Sequence, residues 1–204
     1  MAASSAVSKQ SYCHSLAILS TTLAFFCVAK TCLAENFEPQ VESGDDFIKT
    51  SCGVTRYPDL CYEKLSAYAD TIQDNPTQLA NVSLSETLKN AESALIMVQK
   101  LLKKRKLRPR EADAIKEYVE TMKDSVDELQ KSMLAMSDLE GPDFDMEMSN
   151  IQSWVSAALT DEDTCMDDFE ENSIDGKVKD TIRSYIVTVA QLTSIALALI
   201  NSIH

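Results

Sequence analysis

Histidine, glycine, proline and tryptophan are all scarce in this chain of 204 residues, which carries two, four, five and one of them. So few glycines and prolines argue against the many tight turns of an all-β fold. The two histidines are His14, near the N-terminus, and His204, the last residue. Without a placed imidazole, a Ser/His/Asp or Cys/His catalytic centre is not expected. No cysteine has the histidine or thiol spacing of a zinc site, and no glycine-rich phosphate loop occurs, so neither metal nor cofactor is expected. Basic residues are short too: 19 Lys and Arg stand against 32 Asp and Glu, a net charge of −13. Such a chain repels nucleic acid and anionic lipid. Carboxylates are plentiful, but in so acidic a chain any two of them are usually solvated surface. These absences point to a binding protein, not an enzyme.

The N-terminus has the layout of a secretory signal peptide over residues 1–34. Lys9 supplies positive charge, Leu16 to Val28 an apolar core, and Cys32-Leu33-Ala34 small residues at the −3 and −1 positions before Glu35. The apolar stretch falls short of the roughly 20 residues of a membrane span, which makes an uncleaved anchor the weaker alternative. Residues 35–204 then form one secreted, extracellular domain. Removing Lys9 and Lys30 takes its charge from −13 to −15. Secretion permits disulfides and makes Asn81-Val82-Ser83 a candidate glycosylation sequon. Three of the six cysteines (Cys13, Cys27 and Cys32) fall in the leader, leaving Cys52, Cys61 and Cys165 as an odd set.

Apolar residues recur at alternating steps of three and four in four segments, the signature of helices sharing one core. The first uses Leu84, Leu88, Ala91, Leu95, Val98 and Leu102, with a capping-box pattern, Ser83-Leu-Ser-Glu86, before it. The second uses Ile115, Val119, Met122, Val126, Leu129, Met133 and Met136, with Pro109 opening it. The third is shorter: Met148, Ile151, Val155 and Ala158, with Trp154 beside the seam. The fourth uses Val178, Ile182, Tyr185, Val189, Leu192, Ala196, Leu199 and Ile203. Tyr185 to Ile203 carries no charge and resembles a tail anchor in composition. Its heptad and its interrupting Thr, Gln, Ser and Asn residues favour a buried bundle helix. Short connections at 103–108 and 137–145 favour antiparallel neighbours. The predicted fold is all-α, an antiparallel four-helix bundle.

Several blocks together resemble the plant invertase and pectin methylesterase inhibitor family. They are Ile48-x3-Cys52-x2-Thr55-x-Tyr57-Pro58-x-Leu60-Cys61, Trp154-Val-Ser-Ala-Ala-Leu-Thr160, Thr164-Cys-Met-Asp-Asp-Phe169 and Leu192-Thr-Ser-x-Ala-Leu-Ala-Leu-Ile-Asn201. The resemblance implies a helical hairpin extension over 35–78, stapled by Cys52 and Cys61, before the bundle over 79–204. Gly53 is expected to supply an unusual backbone angle there, and Pro58 a turn. Invertase inhibitors of this kind often carry a Pro-Lys-Phe tripeptide, which this chain lacks, and the later blocks look more like the pectin methylesterase side. The implied function is a secreted inhibitor that covers the esterase's pectin-binding cleft in a 1:1 complex. The module also occurs as a pro-region of the esterases, but this sequence ends at His204 without a catalytic domain, which suggests a free inhibitor. The alternatives are an inhibitor of acid invertase and a non-inhibitory structural or storage relative.

Carried over by motif position, the resemblance assigns partner contacts to Glu120, Asp124 and Asp127 in the second bundle helix, and to Thr164 and Asp167 after the third. Spacings of four and three put the first three on one helix face. The family usually joins its second and third bundle helices by another disulfide. Here Cys165 supplies one end, and Tyr118 stands where its partner would be. Cys165 is therefore expected to be an unpaired cysteine, buried in a monomer or bridging a disulfide dimer.

Overall fold

The computed structural model describes residues 44–104, 107–139, 141–171 and 176–203. The expected leader over 1–34 lies outside them. Among these residues seven α-helices follow in order: α1 (Gly44–Cys52), α2 (Pro58–Leu65), α3 (Ala69–Ile72), α4 (Pro76–Lys104), α5 (Pro109–Ser137), α6 (Phe144–Glu171) and α7 (Lys177–Ile200). A single 3-10 turn, Ser66–Tyr68, separates α2 from α3. No strand occurs among the described residues.

Helices α4 to α7 form the bundle. Each packs on its sequence neighbour, and α7 closes the ring against α4. The core lies along the apolar stripes: Leu84, Ala91 and Val98 from α4, Ile115, Met122 and Leu129 from α5, Ile151, Val155 and Ala158 from α6, and Ile182, Val189 and Ala196 from α7 are all 0–1% exposed. Val178–Ile200 is long and apolar enough to cross a membrane. Its core positions are instead buried against α4 and α6. Tyr185 departs from the predicted stripe. It is half-buried and Ile186 takes the core position, because a straight helix drifts from a strict seven-residue repeat.

The start of α4 also differs from expectation. Ser83 lies inside the helix and is buried, so Ser83-Leu-Ser-Glu86 caps nothing. Asn75 is the cap instead: its side-chain oxygen accepts the backbone N–H groups of Thr77 and Gln78 at 2.9 and 3.1 Å, and Pro76 follows as the first helical residue. Glu86 accepts hydrogen bonds from Tyr68 (2.5 Å) and Lys89 (3.2 Å). At α5, Pro109 opens the helix as expected, and the Glu111 carboxylate accepts the Arg108 N–H at 2.8 Å.

The N-terminal hairpin packs α1 against α2 and α3, and leans on α4 and α7. Cys52 and Cys61 are bridged, with their Cα atoms 5.5 Å apart. Gly53 does not take a left-handed backbone angle; positive φ among the glycines falls at Gly141 and Gly176, in the α5–α6 connection and before α7. The glycine the hairpin needs is Gly44. A Cβ there would lie 2.6 Å from the Ala69 carbonyl oxygen, so the start of α1 reaches α3 only without a side chain. Pro58 opens α2, as its missing N–H allows.

Candidate partner-binding face

The core stripe of α5 turns Glu120, Asp124 and Asp127 to the opposite side, where all three are exposed. The Glu120 carboxylate is 2.7 Å from the Lys123 ammonium, one turn along the helix. Lys131 is held above its ordinary pKa, first by its hydrogen bond to Glu128 (2.8 Å), with Asp127 and Asp124 adding to the field. Exposed pairs of this kind add little stability. They leave a row of carboxylates open to solvent.

Helix α6 brings a second set. Thr164 and Asp167 are exposed and one turn apart, and the Thr164 hydroxyl donates to the Thr160 carbonyl at 2.8 Å. Asp161 is the link between the helices. Its carboxyl is pushed up first by burial, then by the negative charges of Asp124 and Glu128 on α5. The negative field of Asp124 and Glu128 thus reaches Asp161 across the α5–α6 seam. No hydrogen bond or ion pair joins Thr164 or Asp167 to the α5 row among the described residues. Sequence reasoning missed Glu128 and Asp161; the signal was their acidic character four residues after Asp124 and three before Thr164.

Behind this face lies an interior that the sequence did not announce. Glu162 is 0% exposed, and its Oε1 accepts hydrogen bonds from the Ser125 hydroxyl of α5 (2.8 Å) and the Thr193 hydroxyl of α7 (2.9 Å). Burial outweighs both bonds and pushes the carboxyl up to about 8, with Asp163 and Asp161 adding repulsion. Glu162 continues the α6 stripe one step past Ala158, and Ser125 and Thr193 sit beside Val126 and Leu192, so the buried side of each helix is wider than the predicted stripe. The predicted third pattern stopped at Ala158 because the next steps are Glu162 and Cys165, yet both are buried.

Tyr118 and Cys165 are also buried, at 3% exposure each. The phenol is pushed above its ordinary range first by burial and then by Cys165 and Glu162, which places Tyr118 beside Cys165 between α5 and α6. Cys165 forms no disulfide. Bridging two chains through so buried a sulfur requires α6 to open first. Asn81 sits within α4, half-buried, with Ser83 of its sequon 4% exposed. Any glycan there must be added before α4 packs.

Comparison with known proteins fits this architecture. The sequence pattern described as plant invertase/pectin methylesterase inhibitor matches residues 46–199. A carrot protein named 21 kDa protein is 42% identical over 185 residues, covering 89% of this chain and 94% of its own length. Pectinesterase inhibitor 9 of Arabidopsis thaliana is 47% identical over 169 residues, covering 80% and 83%. The crystal structure of a mutant form of a pectin methylesterase inhibitor from Arabidopsis superposes with a TM-score of 0.64, over 77% of this chain and 97% of that one. At 22% identity, that likeness concerns the fold alone.

Proposed function

The chain belongs to the plant invertase/pectin methylesterase inhibitor family, and from that membership we propose that it is a secreted inhibitor of pectin methylesterase. It acts in the extracellular space of the cell wall, as a stoichiometric blocker of the pectin-binding cleft. What carries the choice of enzyme is the name of a relative that is 47% identical, pectinesterase inhibitor 9. The contact surface in this proposal is the outer side of α5 and α6, with Glu120, Asp124, Asp127, Thr164 and Asp167 facing the enzyme. Exposed carboxylates on two long, mutually packed helices offer hydrogen-bond acceptors at fixed spacing, with little ordering of the backbone needed on binding. Pairing with basic groups around a cleft speeds encounter, so the association rate should fall as salt rises.

The test is titration of the purified protein against a panel of pectin methylesterases and acid invertases. Esterase activity should fall linearly to an end point at one inhibitor per enzyme, with sucrose hydrolysis unaffected. Loss of invertase activity alone would assign the other branch of the family, and loss of neither would mark a non-inhibitory relative. Within the interface, Asp124→Ala/Asp127→Ala should weaken inhibition by about 2–5 kcal/mol if both carboxylates become buried and paired in the complex. Unchanged inhibition would remove these residues from the contact surface.

A further inference from the structure

A groove lies between α6, α7 and the loop that the disulfide closes. It holds about 290 Å³, and a second hollow of about 340 Å³ adjoins it beneath the same loop. Leu159 and Met166 of α6 and Val187 of α7 give it an apolar floor. Arg56, Tyr57 and Gln191 line both hollows. Arg56 is exposed, and its guanidinium carbon lies 5.6 Å from the centre of the Tyr57 ring. Among the described residues, no carboxylate lies within ion-pair distance of it. In so acidic a chain, this is a cation held over an apolar floor by a stacked ring, with its donors open. Asp163 on the α6 wall and Asp59 at the second hollow bear the opposite sign, which disfavours a polyanion and limits the site to one negative charge placed at Arg56.

We propose that this groove binds a small monocarboxylate carried on an apolar ring. The carboxylate takes the Arg56 guanidinium, which presents paired donors in a planar fork. The ring lies on the Leu159, Met166 and Val187 floor, and Gln191, which lines both hollows, supplies an amide to a polar substituent. The size suits one ring and a short side chain, at the lower end of small-molecule sites. This site shares no residue with the α5–α6 face and does not depend on what that face binds.

Calorimetric titration with 4-hydroxycinnamate, its methyl ester and galacturonate tests the assignment. The free acid should bind, with the ester and galacturonate each at least about ten times weaker, because one lacks the charge and the other the apolar body. Arg56→Gln should weaken the acid by a similar factor without altering the circular dichroism spectrum. Gln191→Phe, which fills both hollows, should abolish binding. Absence of binding to the unaltered protein at millimolar acid would overturn the proposal. So would equal affinity for acid and ester, binding unaffected by Arg56→Gln, or galacturonate binding as well as the aromatic acid.

Discussion

The N-terminal hairpin and the α5–α6–α7 interior solve opposite problems. Helices α1 and α2 are nine and eight residues long, too short to be stable alone, and they bury few large side chains. Directional bonds make up the difference. The Cys52–Cys61 bridge closes the loop, the Tyr62 hydroxyl donates to both Asp45 carboxylate oxygens at 2.9 and 3.0 Å, and the Tyr68 hydroxyl ties the hairpin to Glu86 of α4. Helices α5, α6 and α7 are 24 to 29 residues long, and each contributes a full core stripe. That interior has no crosslink at Cys165 and still accommodates a buried carboxyl. Small apolar area demands covalent and polar fastening; large apolar area tolerates both a missing bridge and a costly acid.

The largest effect expected from this contrast concerns Glu162. Its folded value of about 8 lies above its ordinary 4.5, so the folded chain holds a proton that the unfolded chain releases. The stability gained from the neutral acid is complete below about pH 4.5 and is lost as pH rises through about 8. The full difference is on the order of 4–5 kcal/mol. Urea unfolding at pH 5 and pH 8.5 should show this loss in the unaltered protein but not in Glu162→Gln, which keeps an oxygen for Ser125 and Thr193. Parallel pH dependence in both proteins would mean that Glu162 is not neutral in the fold.

The staple comes next. Replacing Cys52 and Cys61 by serine releases a ten-residue loop, counting both ends, and should cost about 3 kcal/mol in the chain-entropy model. Amide exchange should quicken in α1 and α2 first and leave α5 to α7 protected. Uniform loss of protection would mean that the hairpin and bundle unfold together.

Gly44→Ala acts on the same hairpin by sterics. The added methyl meets the Ala69 oxygen at 2.6 Å, so thermal unfolding should register a loss of about 1–3 kcal/mol. Tyr118→Cys reverses the experiment by giving the bundle the bridge it lacks. Closing the loop to Cys165 contributes about 4 kcal/mol, and losing the buried phenol costs about 3 kcal/mol, so the net gain should be about 1 kcal/mol. A drop in melting temperature for the oxidised variant would show that α5 and α6 have repacked around Tyr118.

Most of the bundle was legible because apolar steps of three and four leave one stripe to bury, as Ile115 to Leu129 and Ile151 to Ala158 show. Helix ends were less so. Ser83-Leu-Ser-Glu86 had the residues of a cap, but Leu79 and Ala80 upstream also fall on the core side and carried α4 back to Asn75. The exposed acidic residues of α5 were legible as one face from their spacing. The influence of Asp124 on Asp161 across the seam was not, because no local pattern records which helices become neighbours or at what register.

The sequence by itself determined the four bundle helices, their order and most of the side each one buries, since periodicity and short connections are local properties of the chain. Only the tertiary structure decided what met across the seams. Ser125, Glu162 and Thr193 lie 31 or more residues apart from one another along the closest hydrogen-bonded steps and join inside the bundle. Tyr118 comes to rest beside Cys165, Gly44 against Ala69, and Arg56 over a groove built from two distant helices. The reason is physical. Burial, desolvation and close approach depend on what surrounds a residue in space, so a glutamate that looks like surface in the chain becomes a neutral core acid once three helices close around it.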